Sequence, residues 1–270
     1  MTQTMVYEKK IIAYLDVLGF ADIVKENHPD AAIPRNILEL FHDVLITLKD
    51  DKYIGHFFEQ FKYRFFSDTI VITLPLRRNS SASHLDSLIA IIWLVIHSHL
   101  YLIKKGIIFR GALHIGSIYD KGNYIFGTGF QVVHDLEKSD AVYPIVIISD
   151  ELMDYIEEYS NNHEDNSLYN IEIKPYIAHE NHAFNYIDYL KHENYNSKKE
   201  YLEFICEHRK LIVAELERHK DNSWILQKYK WLSRYHDKHV SNWQRGIPDN
   251  KINDYLINIK FIGNSTHKNS

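Results

Sequence analysis

The sequence has a single cysteine, Cys206. That excludes an intramolecular disulfide and any cysteine-based zinc site. It fits a reducing compartment, so a cytoplasmic location is expected. Positive charge is also short: the formal net charge is -5. A general nucleic-acid binder would carry a basic stripe, so direct nucleic-acid binding is not expected, while a small nucleotide ligand stays open. The first residues, MTQTMVYEKK, lack the apolar core of a signal peptide. The most apolar segment, Leu88 to Ile103, is broken by His97, Ser98 and His99. It reads as too short and too polar to span a bilayer, so no membrane association is expected. Internal repeats and low-complexity tracts are absent.

What is present is enough apolar residue, 45% of 270, to bury a full core in one large domain with a helical extension. The stretch Ile11 to Phe20, IIAYLDVLGF, stands out. Its apolar run reads as a strand buried on both faces, ending on Asp16 and turning at Gly19. A carboxylate at the end of a buried strand is costly unless something pairs with it. KYRFFSD has the same design, with Asp68 before the strand Ile70 to Leu74. Two acidic strand ends side by side suit a hard divalent cation. Alternatively, Asp16 caps a helix and Asp68 sits in a hairpin turn.

Between and beyond these strands the patterning predicts a helix over 21–50 and a strongly apolar helix from Leu85 to Lys104. A strand follows over Ile107 to Ile115, then a hairpin turn over Tyr119 to Asn123 and a helix opened by Gly127 and Gly129. Val142 to Ile148 reads as a buried strand, and Ile171 to Ile177 and Ala183 to Leu190 as the last two. Asn161 to Asn170 reads as a polar, mobile link. The expected class is α+β, ferredoxin-like (split βαβ), with a mostly antiparallel sheet and a C-terminal helical extension. The expected division is 1–190, then a helical appendage over 191–262, then a disordered tail over 263–270. Of the 17 histidines, His236 and His239 could pair on a metal, but core or surface packing is the simpler reading. KYKWLSRYH, Lys228 to His236, could contact phosphate or pack its aromatics inward.

Four stretches in order resemble the class III nucleotide cyclases: YLDVLGF from Tyr14, KYRFFSD ending at Asp68, RGALHIG from Arg110, and FGTGFQVVHDLE from Phe126. The flavour is of divergent bacterial members that make cyclic pyrimidine nucleotides in anti-phage signalling. The resemblance implies attack of a ribose 3′-hydroxyl on the α-phosphate of an NTP, in a homodimer with shared sites. It implies two Mg2+ or Mn2+ ions on Asp16 and Asp68, helped by the carbonyl of Val17. It places phosphates on the amides of Leu18, Gly19 and Phe20, the base near Arg64 and Tyr124, and the ribose near Gln131. Arg64 and Tyr124 replace the Lys and Asp of adenine-specific members. Asp135 stands where the family has a transition-state Arg, which leaves Lys138, Arg110 or another arginine to do that work, or else a degenerate nucleotide-binding or regulatory module. A palm-type polymerase or diguanylate cyclase would share the core, but FFSD replaces its GGDEF-like turn.

Overall fold

The computed structural model describes residues 6–20, 39, 42–50, 54–76, 81–161, 167–180, 183–191, 195, 197–243 and 251–258. Within them the chain divides into two compact units. The first comprises Met1–Leu102 and Ile107–Asp188, the second Ile103–Gly106 and Tyr189–Ser270.

The first unit is a mixed α+β structure around an eight-stranded sheet. Its strands are β1 (Glu8–Val17), β2 (Lys62–Phe66), β3 (Thr69–Pro75), β4 (Phe109–Lys121), β5 (Tyr124–Phe126), β6 (Val146–Ile148), β7 (Ile177–Glu180) and β8 (Phe184–Ile187). The order is β2-β3-β1-β4-β6-β8-β7, with β5 paired to β4. All pairings are antiparallel except β4 with β6. β1 therefore sits between two antiparallel neighbours, and its apolar run is almost continuous because both of its faces are covered.

Side chains alternate across this sheet. One face carries Ile11, Ala13 and Leu15 of β1, opposite Leu74, Ile72 and Ile70 of β3 and Ile115 and Leu113 of β4. All are buried. Helix α1 (Ser81–Ile103) covers this face, with the His99 ring 3.8 Å from that of Phe109 between centroids. The window Leu85–Ile103 is in fact long and apolar enough to cross a membrane by length and composition, but 78% of it is buried inside the protein. An apolar surface all round is what a helix at the centre of a core requires.

The second face carries Ile12, Tyr14 and Asp16, opposite Thr73, Val71 and Thr69 on one side and His114, Ala112 and Arg110 on the other. Helix α2 (Thr128–Ser139) lies on it. A Cβ on Gly129 would stand 2.8 Å from the backbone of Gly116, and one on Gly116 would stand 2.6 Å from Gly129. Only glycine at both positions lets the helix come this close to β4.

Several expected elements differ. The turn at Tyr119–Asn123 shrinks to Gly122 and Asn123, because β4 continues and pairs Tyr119 and Asp120 with β5. The stacked rings of Tyr119 and Phe126 hold that extension. The strand expected over Val142 to Ile148 forms only at Val146–Ile148, where it pairs with β4 and β8. Ile171 to Ile177 is helical up to Tyr176, with Pro175 inside a 3₁₀ turn (Lys174–Tyr176), because proline cannot donate to a ladder. The expected mobile link is helical from Ser167, following helix α3 (Asp150–Asn161). Of the helix expected over 21–50, residues 39 and 42–47 are helical, and most of the rest lies outside the described residues, as does the tail over 263–270.

The second unit contains helices α4 (Lys198–Arg218) and α5 (Ser223–Asn242). Ser197 caps α4 by accepting from the Glu200 amide, and Asn222 caps α5 by accepting from that of Ile225. Tyr229, Trp231, Leu232, Tyr235 and His236 are buried, so KYKWLSRYH is a packing stripe. The His236 Nδ1 stands 2.9 Å from that of His208, and its Nε2 lies 2.9 Å from the Tyr255 carbonyl. No group of three or more metal-ligating side chains occurs among the described residues.

Burial holds His99 neutral, pushing its pKa down to about 3 from 6.5. The unfolded chain takes up this proton below about pH 6.5 and the folded chain does not. Acidification from pH 6.5 to about 4 is therefore expected to remove about 1.4 kcal/mol of stability per pH unit through this residue. Urea unfolding of the full chain at several pH values, beside a His99→Leu variant, measures it. The burial-lowered His114 acts in the same direction in both proteins, so the difference isolates His99. Equal pH slopes would sink the assignment.

Candidate active site

The site lies on the second face, at the end of β1. Tyr14 and Asp16 are half-buried there, whereas Leu15 and Val17, pointing the other way, are buried. Asp68 arrives through a two-residue turn: Phe66 pairs with Thr69, leaving Ser67 and Asp68 between the strands. Ser67 takes a φ of 58°, as the first central residue of a tight hairpin often must. The Asp68 carbonyl accepts from the Val17 amide at 2.9 Å, which fixes the turn against β1. Thr69 is the register partner of Asp16, so the two acidic residues occupy neighbouring strand ends.

Tyr14 reports their convergence electrostatically. Burial pushes its hydroxyl pKa up, Thr69 opposes this through a hydrogen bond, and Glu137, Asp16 and Asp68 push it further up. Three carboxylates thus share one neighbourhood. Asp16 pairs with Arg110, its register partner on β4, at 3.1 Å between Nε and Oδ2. Beyond Val17, the Leu18 amide donates to the Ile108 carbonyl, and Gly19 takes a φ of +73°, where a side chain would be strained.

Arg64 and Tyr124 stand at the β4–β5 hairpin. The Arg64 Nη2 donates to the Asp120 carboxylate and, at 2.9 Å, to the Gly122 carbonyl. Its Nη1 is buried without a partner. Tyr124 is 70% exposed. A cleft of about 640 Å3 lies beside β2, lined by Lys62, Arg64, Phe66, Gly122 and Asn123. Gln131 and Asp135 are on the exposed face of α2, with Asp135 3.3 Å from the His134 ring.

Sequence reasoning missed three residues. Tyr14 lies inside a quoted motif, and its two-residue spacing from Asp16 was the available signal. Glu137 also closes a quoted motif, but nothing in the sequence says that it is buried. Asp120 falls within Tyr119–Asn123, the stretch expected to form a hairpin turn. In the structure its side chain is fully buried and meets Lys10 at 3.0 Å, the Thr73 hydroxyl at 2.8 Å and Arg64. Lys174 lines a separate cleft with Glu157, Tyr169 and His179.

The donor set fits a hard cation of the Mg2+ or Mn2+ kind. The groups at the end of β1 are oxygen donors, and two carboxylates completed by substrate phosphates are a normal complement for Mg2+. Asp16 and Asp68 would hold it.

No family model matches the chain, and no curated protein matches it. Among solved structures, the guanylyl cyclase Cya2 is similar over 56% of this chain and 80% of its own, at 11% identity and a TM-score of 0.40. A class III adenylyl cyclase-like ATP-binding protein from Pseudomonas aeruginosa is similar over 55% of this chain and 34% of its own, at 13% identity and a TM-score of 0.38.

Proposed function

We propose that this chain is a metal-dependent nucleotide cyclase, with the ferredoxin-like core of that family, converting an NTP into a 3′,5′-cyclic nucleotide and pyrophosphate. The observation that carries the reading is that Asp16 and Asp68 occupy neighbouring strand ends, with the Asp68 carbonyl bonded to the Val17 amide, beside the Gly19 turn. The ribose 3′-hydroxyl attacks the α-phosphorus, the bond to the β-phosphate oxygen breaks, pyrophosphate leaves with the electron pair, and the hydroxyl proton passes to solvent. Two divalent cations on Asp16, Asp68 and the Val17 carbonyl would activate the hydroxyl and offset leaving-group charge. The amides of Gly19 and Phe20 would hold terminal phosphates and Gln131 the ribose, whereas the Leu18 amide, expected to share the phosphates, is taken by the Ile108 carbonyl at 2.9 Å. The same reading includes a cytoplasmic homodimer with shared sites and a signalling role, such as anti-phage defence.

For the base, Arg64 offers donors only. Asp120 and Gly122 hold its guanidinium in place. That suits a carbonyl of uracil, cytosine or guanine, so UTP or CTP ranks above ATP. Exposed Tyr124 would fill the space of the absent purine ring.

The second reading is a degenerate, nucleotide-binding module. It is favoured by Asp135, since a carboxylate cannot stabilise a negatively charged phosphoryl centre.

Incubating the full chain with each NTP and Mn2+, and analysing products by mass spectrometry over a range of protein concentrations, separates the two. The expected result is a cyclic pyrimidine monophosphate, with turnover per chain rising with concentration as a shared-site dimer requires. Nucleotide binding without any cyclic product would establish the second reading. Arg64→Ala should cut base selectivity roughly tenfold, the worth of one charged hydrogen bond. An unchanged NTP ranking would remove Arg64 from base reading.

A further inference from the structure

We infer that Glu137 is a positioning residue that sets the charge available at Asp16, acting through Arg110; this rests on the metal-binding reading of Asp16 and Asp68. All three guanidinium nitrogens of Arg110 are committed. Nε meets Asp16 Oδ2 at 3.1 Å, Nη1 donates to the Ala141 carbonyl at 2.8 Å, and Nη2 meets Glu137 Oε1 at 2.6 Å. The Glu137 side chain is only 8% exposed and the Arg110 side chain 18%. A carboxylate buried on α2 is costly to maintain, and here it is paired with Arg110, which also holds Asp16.

The consequence is electrostatic. Arg110 alone would cancel the charge of Asp16 and compete with any divalent cation for that carboxylate. Glu137 cancels Arg110 instead. The group Asp16, Asp68, Arg110 and Glu137 then keeps two net negative charges, which match one divalent cation. Without the Glu137 charge the group keeps one. Arg110 remains an orienting fork, held flat by the Ala141 carbonyl, without acting as an internal counterion that excludes metal.

The test is Mn2+ binding to the full chain, followed by the electron paramagnetic resonance signal of free Mn2+, with no turnover required. Glu137→Gln should weaken binding about tenfold, in the range seen for outer partners of metal ligands. The double variant Arg110→Gln/Glu137→Gln restores two net charges and leaves no buried charge unpaired. It should bind within about twofold of the natural protein, well short of the roughly 10–100-fold loss seen for outer partners, a rescue that a merely structural role would not produce. Unchanged affinity in Glu137→Gln, or a double variant as weak as the single one, overturns the inference. If Glu137→Gln does not fold, the double variant alone decides it. If Asp68→Asn binds Mn2+ as well as the natural protein does, the metal-site reading itself fails, and the inference falls with it for that separate reason.

Discussion

Replacing Asp120 by alanine is expected to destabilise the first unit by about 3–5 kcal/mol, the loss typical when one partner of a buried ion pair is removed. The side chain is fully buried and Lys10 nearly so. It joins three strands besides its own: Lys10 comes from β1, Arg64 from β2 and Thr73 from β3. Without the carboxylate, buried Lys10 falls back on Glu8, an exposed carboxylate 3.3 Å away, and Arg64 on the Gly122 carbonyl. Lys62, 3.9 Å away and half-exposed, adds little because solvent screens it. Urea unfolding of the full chain would show the loss, and thermal melting should fall on the order of 10 °C. A loss below about 1 kcal/mol, the usual ceiling for an exposed pair, would mean that the cluster is not a stabilising hub.

The same group predicts an acid limit. Burial raises the Asp120 pKa, but hydrogen bonds from Thr73, Lys10 and Arg64 outweigh that and leave it below 3.8. A depressed carboxylate contributes stability that is present above its unfolded pKa of about 3.9 and lost as pH falls through the folded value. Its loss should therefore appear only below about pH 4, after the His99 effect has set in, and should be absent from Asp120→Ala.

Asp68→Ala is expected to abolish turnover while leaving the fold in place. The carboxylate is assigned to the metals, so its loss should exceed the roughly 10–100-fold cost of losing an outer partner. The turn itself is held by the Asp68 carbonyl on the Val17 amide, a backbone bond that the substitution keeps. Stability should therefore shift by no more than about 0.5–1 kcal/mol. Product formation by mass spectrometry, beside a thermal melt, checks both halves. Cyclic nucleotide still formed at the natural rate would remove Asp68 from the chemistry, and an unfolded variant would shift the test to Asp68→Asn.

The histidines show why local pattern alone could not assign roles. His99 and His236 are both buried, and burial lowers the pKa of both, the second to about 4. Nothing in LVIHSHL says which of His97 and His99, two residues apart and on opposite sides of the helix, is buried; His97 is half-exposed. Burial depends on what packs above the helix, and for His99 that is Phe109, ten residues later.

By itself the sequence determined the central strand ending at Asp16, the hairpin ending at Asp68, the apolar core helix α1 and the turn at Gly19. Each is written in local terms: an unbroken apolar run, a period, a glycine. Only the tertiary structure decided that Arg110 faces Asp16, that Glu137 neutralises Arg110, and that Asp120 is the buried hub of three strands. It also decided that the segment ending at Tyr176 is helical. These outcomes depend on strand register and on long side chains meeting across it. A period of two tells which face a residue takes, but not which residue of another strand stands opposite. Asp120 and Lys10 are 110 positions apart, and their meeting follows only once β1 and β4 are aligned.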